Sequence, residues 1–116
     1  MSDRENPEEL RVPGIIFLGE QDGGPERELK SALQNVFSSL PVTEAFLADI
    51  RYENESESRV ALCLVATEDE KIVEAISRVF WNMFRSDVSL DLVFLDEKQR
   101  EAIEQVCRCF YQVEKA

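Results

Sequence analysis

The apolar positions of this chain change their period several times along the sequence, and the order of these changes predicts the secondary structure. Continuous apolar runs at residues 14–18 and 60–66 predict strands that are buried on both faces. Alternation over residues 88–95 predicts a half-exposed strand. A less regular alternation predicts another strand over residues 42–52, where the apolar cluster at residues 45–47 indicates a bulge or local burial on both faces.

Apolar residues at steps of three and four predict three amphipathic helices between these strands. The first helix is expected to begin at Pro25, which suits a first helical turn, and to end before Pro41. Capping-box spacings that begin at Thr67 and Asp96 predict the starts of the other two helices. The apolar stripe of the third helix continues as far as Phe110.

The element order, strand, helix, strand, strand, helix, strand, helix, predicts an α+β fold. It is typical of a ferredoxin-like βαββαβ sandwich with an additional C-terminal helix. In that arrangement the strands at 14–18 and 60–66 lie side by side and parallel at the centre, and the other two strands lie at the edges. Right-handed crossovers then place the first two helices on one face of the sheet. The third helix, a second subunit or solvent must cover the other face.

The chain of 116 residues is long enough for one domain and too short for two cores. The periodic pattern assigns that domain to residues 13–113. Residues 1–12 show no period and are expected to form a flexible lead-in.

The chain is acidic, with 24 Asp and Glu against 13 Lys and Arg and a net charge of -11. Its basic residues are scattered, which disfavours nucleic acids and anionic membranes as partners. A basic protein partner stays open, although solubility is the simpler explanation of the acidity. No apolar run approaches the ~20 residues that span a bilayer, and the polar N-terminus lacks the features of an export signal. We therefore expect a cytoplasmic protein.

Catalytic and metal-binding patterns are absent from the sequence. There is no histidine to serve as a base, and the three cysteines do not suggest a disulfide framework. Cys107 and Cys109 lie near the end of the predicted third helix, where side chains two residues apart diverge, and Cys63 occupies an apolar run. The acidic groups at 53–57 and 68–70 suit a solvated turn and a helix start. The sequence thus predicts neither an enzyme, nor a metal site, nor a cofactor.

The loop between the first strand and the first helix is the candidate ligand site, formed by Gly19, Glu20, Asp22, Gly23 and Gly24. It has no Lys, Ser or Thr with which to complete a phosphate-binding loop, and its carboxylates would repel phosphate. The glycines favour a tight turn as the first interpretation. If the loop binds a ligand, an amine suits it better than an anion.

The candidate interface residues are Trp81, Arg85, Phe110 and Tyr111. Trp81 interrupts the buried stripe of the second helix and lies one turn from Arg85. Trp is enriched at binding hot spots, so its position predicts either an interface or packing beneath the third helix.

Several short motifs together resemble a known family. They are Phe17-Leu18-Gly19-Glu20 followed by Pro25, Leu29 and Leu33, then Val42 and Ala45-Phe46-Leu47-Ala48, then Leu90-Asp91-Leu92-Val93-Phe94-Leu95, and finally Phe110-Tyr111. Their order and spacing, over about residues 14–112, resemble the C-terminal domain of the enhanced serine sensitivity (SseB-like) proteins. The resemblance implies no established reaction and no catalytic residues.

Two functional hypotheses follow from the sequence. The first is a non-enzymatic protein-interaction or regulatory module, which associates with a protein partner or with itself. It would use an open sheet face or the surface near Trp81 and the third helix. The second is a sensor of amino-acid-like small molecules that binds at the glycine loop, by analogy with ACT domains of the same element order.

Overall fold

The computed structural model describes residues 10–12, 14–84 and 90–113 of the chain. These residues form three helices and six strands. In chain order they are β1 (Leu10–Val12), β2 (Ile15–Glu20), α1 (Gly24–Phe37), β3 (Glu44–Tyr52), β4 (Arg59–Val65), α2 (Glu70–Phe84), β5 (Asp91–Phe94), α3 (Glu97–Glu104) and β6 (Tyr111–Gln112). The predicted α+β class is confirmed.

The strands form one mixed sheet in the order β1-β2-β3-β4-β5, and β6 pairs with β3. Each neighbouring pair is antiparallel except β4 and β5, which are parallel and joined by α2. One edge of β3 is paired by β4. The other edge is shared, because β6 pairs opposite Ala45 and β2 pairs from Ala48 onwards. Strand β3 is therefore the centre of the sheet.

Alternate residues of β3 face two separate hydrophobic clusters. Ala45 and Leu47 belong to the cluster under α1 and α2, whereas Phe46 and Ala48 belong to the cluster that includes Ile103 of α3. The period of two along a strand sends successive side chains to opposite faces, so the apolar cluster at 45–47 reports burial on both sides. The described residues thus form three layers, in which α3 covers the face that the sequence left open.

This sheet order shows that the ferredoxin-like prediction is wrong. That arrangement requires the strands at 14–18 and 60–66 to be parallel neighbours, but β3 lies between β2 and β4 and is antiparallel to both. A continuous apolar run shows that a strand is buried on both faces, but it does not specify which strand lies beside it in the sheet. The edge position expected for the fourth strand is observed, since β5 pairs only with β4 within the described ranges.

The prediction that residues 1–12 form a flexible lead-in is wrong for the last three of them. Residues Leu10–Val12 form β1, which pairs antiparallel with β2 so that Val12 lies opposite Ile15. Gly14 lies in the turn between them with φ +87°, a conformation that favours glycine. A strand of three residues is too short to show a hydrophobic period, and its pairing depends on this turn.

The helix ends agree with the sequence only in part. At α3 the predicted capping box is confirmed, since Asp96 and Gln99 each accept a 2.8 Å hydrogen bond from the other's backbone N–H. The box predicted at Thr67 is wrong, because the Asp69 side chain accepts from Lys71 N at 2.8 Å and α2 begins at Glu70. Helix α3 ends at Glu104 rather than near residue 110, because the following residues turn back to pair with β3.

Residues 88 and 89 of the predicted fourth strand lie outside the described residues. Within the described part of the chain, no helix is both long enough and apolar enough to span a membrane.

Candidate functional site

The two carboxylates of the candidate ligand loop lie beside three cations of the same chain. Glu20 ends β2 and Asp22 precedes α1, while Arg27 and Lys30 extend from the first turns of α1. Arg108 reaches the loop from the segment that joins α3 to β6. The structure therefore places the predicted acidic residues together and adds partners that the sequence analysis did not include.

Lys30 supplies an ammonium group to this loop. Its Nζ lies 2.9 Å from Asp22 Oδ1 and 3.4 Å from Glu20 Oε2. The same Nζ lies 5.8 Å from the ring centroid of Phe110, which places the cation over an aromatic face. Lys30 is only 8% exposed, although lysine is rarely buried unless its charge is paired. The loop thus has the chemistry expected for an amine, but the chain's own lysine occupies it.

Arg108 holds the other end of Glu20 with both its guanidinium and its backbone. Its Nε and backbone N donate to Glu20 Oε1 at 2.9 and 3.2 Å, and its Nη2 donates to Oε2 at 3.0 Å. These hydrogen bonds lower the pKa of Glu20, and the smaller opposing effect of burial does not cancel them. Glu20 is therefore held as an ionised acceptor that ties the segment after α3 to the end of β2.

Asp22 has a similar but more exposed environment. Its Oδ2 lies 3.3 Å from Arg27 Nη2, and the hydrogen bond from Lys30 is the main reason that the pKa of Asp22 is lowered. Both loop carboxylates are thus neutralised within the chain.

The three glycines of the loop shape its backbone. A register shift between β2 and β3 falls between Phe17 and Gly19, while Gly23 caps α1 and Gly24 begins it. None of these three has a positive φ; of the glycines in this chain only Gly14 does. The tight turn that the glycines favoured as the first interpretation is therefore not built on left-handed glycine conformations.

Sequence spacing could not have identified Arg108 as a partner of the loop. Arg108 lies 88 residues from Glu20, and only the pairing of β6 with β3 brings the two together. The sequence did contain a signal that Lys30 is buried, because Lys30 follows Leu29 on the apolar side of α1.

The interface candidates Phe110 and Tyr111 are partly buried and pack against the cluster under α1 and α2. Their ring centroids lie 6.3 and 5.2 Å from that of Phe37, and Tyr111 Oη donates to Phe37 O at 3.2 Å. Both rings therefore help to fix the last strand against α1. Arg85 lies outside the described residues.

Trp81 is 58% exposed on the outer side of α2, while Ile72 and Ile76 of the same helix point into the core. Packing beneath the third helix is wrong for Trp81, because α2 and α3 cover opposite faces of the sheet. Val73, two turns earlier on α2, is a second exposed apolar side chain at 36%. Of the aromatic side chains that the structure describes, Trp81 is the most exposed.

An open acidic depression lies at the start of α2. It is lined by Val73 and by four acidic residues, Glu68, Asp69, Glu70 and Glu74. Glu68, Glu70 and Glu74 make no ion pair with any described residue, unlike the carboxylates of the loop. Within the described ranges, no three acidic or cysteine side chains are placed to hold a metal ion.

Two further polar contacts connect elements that are distant in sequence, one an ion pair between a helix and a strand and the other a hydrogen bond between two strands. Arg100 of α3 donates to both carboxylate oxygens of Glu44 on β3, at 2.8 and 3.0 Å. Tyr52 donates to Asp91 at 2.8 Å across the sheet, and burial together with this hydrogen bond raises the pKa of Tyr52 to about 12. Both contacts have a structural explanation, since each joins elements that are distant in sequence.

All three cysteines are free thiols. Burial raises the pKa of Cys63, and burial together with the charge of Glu20 raises the pKa of Cys107 to about 12. Cys109 is half-buried, and its Sγ lies 2.6 Å from Tyr111 O. Cys107 and Cys109 lie after the end of α3, which corrects their expected position within the helix.

Among the described residues, helices pack against both faces of the sheet, which is an α+β arrangement. The chain matches the family model of the SseB protein C-terminal domain over residues 16–112, and it therefore belongs to that family. The resemblance drawn from its motifs is confirmed. No curated protein and no solved structure matches the chain.

Proposed function

We propose that this chain is a non-enzymatic interaction module that binds a protein partner through the outer face of α2. The observation that carries the proposal is the exposure of Trp81 at 58% on a helix whose other side is packed in the core. A Trp side chain brings a large apolar area to an interface, and it also provides an N–H donor. Such residues contribute disproportionately to binding when a partner covers them.

The other candidate surfaces of the domain are engaged internally, which supports the choice of α2. Helix α3 covers the second sheet face with Ile103, so that face is not open to a partner. Phe110 and Tyr111 pack against Phe37. Of the interface residues expected from the sequence that lie in the described ranges, Trp81 is the most exposed, whereas Phe110 and Tyr111 are partly buried.

The small-molecule alternative has less support from the geometry. An external amine would have to displace Lys30 from Asp22 and Glu20, and it would also have to compete with Arg108 for Glu20. A thermal-shift screen with amino acids tests this alternative, because a ligand that binds only the folded state raises the melting temperature.

Site-specific photo-cross-linking tests the proposed surface. We would place a cross-linking amino acid at Ser77, between Val73 and Trp81 on α2, and at Glu101 on α3 as a matched exposed control. We expect one discrete protein to cross-link from position 77 and not from position 101. The product should disappear in Trp81→Ala, and the purified partner should bind the unmodified chain.

Two results would contradict the proposal. One is equal cross-linking from both positions, which indicates contact without a defined surface. The other is a product at position 77 that persists in Trp81→Ala, since Trp81 is the residue from which the proposal is argued.

A further inference from the structure

We infer that the α2 docking surface binds a basic, amphipathic segment of another protein, an inference that rests on the function proposed above. We define the α2 docking surface as Trp81, Ser77 and Val73 together with the acidic depression at the start of the helix. An apolar side chain of the partner covers Trp81, and a Lys or Arg enters the depression.

Unpaired charge is the first argument for a basic partner. Glu68, Glu70 and Glu74 line the depression without an ion pair to any residue in the described ranges. The carboxylates of Glu20 and Asp22, by contrast, are each within 3.4 Å of a cation. The positive end of the α2 dipole favours acidic residues at this position, but it does not cancel several charges in one depression. Several carboxylates therefore share one depression whose lining holds no cation among the described residues, and they attract a cationic partner.

The mixed lining of the depression is the second argument. Val73 is 36% exposed and lines the same depression as the carboxylates. Lys and Arg side chains have an apolar stem and a charged end, and they pack the stem against apolar surface while the charge stays among polar groups. Val73 offers such a surface for the stem, and Glu70 and Glu74 lie around the position of the charge.

The spacing along α2 sets the spacing required in the partner. Val73 and Trp81 are eight residues apart, which corresponds to about 12 Å along a helix. A partner helix covers that distance with residues about two turns apart, and an extended segment covers it with about four residues. In the inferred partner segment, the apolar side chain that covers Trp81 and the basic side chain that enters the depression are therefore about 12 Å apart.

A second copy of this chain is a poorer occupant than a basic protein. Each copy carries a net charge of -11, so two copies repel one another as they approach. A basic segment is instead attracted to the surface, and this attraction favours rapid association and selects against acidic competitors. We therefore assign the surface to a different protein.

Trp81 provides the measurement, because it is the only tryptophan of the chain and lies in the surface itself. We would titrate the full chain with a synthetic helical peptide of Leu, Lys and Ala that has no tryptophan. Its Leu and Lys residues lie about two turns apart along the helix. Matched peptides replace every Lys by Gln or by Glu. We expect a blue shift of Trp81 emission with the Lys peptide and none with the Glu peptide.

Paired charge variants separate the depression from the general acidity of the chain. Glu70→Gln with Glu74→Gln should weaken binding of the Lys peptide by about fivefold, the scale of two exposed charge pairs. The control, Glu57→Gln with Glu101→Gln, removes the same net charge elsewhere and should leave the affinity unchanged. Binding should also weaken as salt rises from about 0.1 M to about 1 M, because the screening length falls from about 10 Å to about 3 Å.

Several results would overturn the inference. They are equal losses in the two variant pairs, a Gln peptide that binds as tightly as the Lys peptide, and a Lys peptide that gives no shift. If the Gln peptide binds and isothermal titration calorimetry, which needs no tryptophan, shows that Trp81→Ala abolishes this binding, the inferred partner chemistry is wrong while the proposed function stands. If cross-linking at Ser77 gives no product that depends on Trp81, the proposed function itself fails.

Discussion

Two cations that are distant in sequence keep Glu20 ionised. Lys30 is ten residues away and Arg108 is 88 residues away, yet both donate hydrogen bonds to the same carboxylate. The sequence predicted that this acidic loop would suit an amine ligand; in the structure the ammonium group of Lys30 contacts both carboxylates. The hydrogen bonds of Glu20 connect the end of β2 with α1 through Lys30 and with the segment after α3 through Arg108. This connection gives the network a structural role.

The first prediction concerns the acid sensitivity of this network. The folded-state pKa of Glu20 is lowered below its ordinary value of 4.5, so its stabilising effect is present at neutral pH and is lost as the pH falls below that value. Glu20→Gln should lower the free energy of unfolding at neutral pH by about 1 kcal/mol, the scale of hydrogen bonds to a charged group near the surface. This difference from the unmodified chain should shrink as the pH falls.

Urea unfolding at a series of pH values measures this effect. Glu57→Gln is the control, because Glu57 is exposed in the turn between β3 and β4. A Glu20→Gln variant with an unchanged midpoint at neutral pH would show that the ion pairs with Lys30 and Arg108 contribute nothing to stability.

The second prediction concerns the three cysteines. Only the thiolate form of cysteine is nucleophilic. Cys107 has a pKa of about 12 and is protonated at neutral pH, and burial also raises the pKa of Cys63. Iodoacetamide should therefore modify half-buried Cys109 first and leave Cys63 unmodified until the chain unfolds. Mass spectrometry of peptides from native and urea-unfolded protein gives the order, and early labelling of Cys63 in the native chain would contradict it.

At the scale of elements, α3 completes the domain by covering the second face of the sheet. It has eight residues, and its buried side is small, formed by Ala102 and Ile103. Its start was predictable from the Asp96 capping box because a cap involves only neighbouring residues. Its end was not, because the apolar residues that follow belong to the turn and to β6, where pairing with β3 decides the conformation.

The third prediction tests this packing. Ile103 is fully buried between α3 and the sheet, so Ile103→Ala should lower the free energy of unfolding by about 2–5 kcal/mol through lost burial and the cavity left behind. Glu101→Ala, on the exposed side of the same helix, should change it by less than about 0.5 kcal/mol. Thermal or urea unfolding followed by circular dichroism compares them, and similar small losses in both variants would mean that α3 is not packed as described.

At the scale of the whole molecule, the charge of -11 acts on partners rather than on the fold. The ion pairs of the described residues concentrate at the loop of Glu20 and at the joins between elements, whereas the start of α2 keeps its acidic charge unpaired. The exposed Trp81 lies on the same helix. Helix α2 thus carries both the acidic depression and the exposed Trp81.

The fourth prediction is that the isolated chain is a monomer whose stability does not depend on Trp81. Like charge opposes self-association, and a side chain that is 58% exposed contributes little to the core, so Trp81→Lys should change the free energy of unfolding by less than about 0.5 kcal/mol. Light scattering on a size-exclusion column gives the mass, and urea unfolding gives the stability. A stable dimer that Trp81→Lys dissociates would assign the surface to self-association instead.

The sequence by itself determined the α+β class, the order of strands and helices from residue 14 to the start of α3, and the family, because periodicity and caps are set by neighbouring residues. The tertiary structure alone decided which strands are adjacent, since burial of an apolar run does not specify its partner. Only the fold could place Arg108 and Lys30 at Glu20, cover the second sheet face with α3 and leave Trp81 exposed. These arrangements depend on pairings between distant segments, above all that of β6 with β3, which no local pattern encodes.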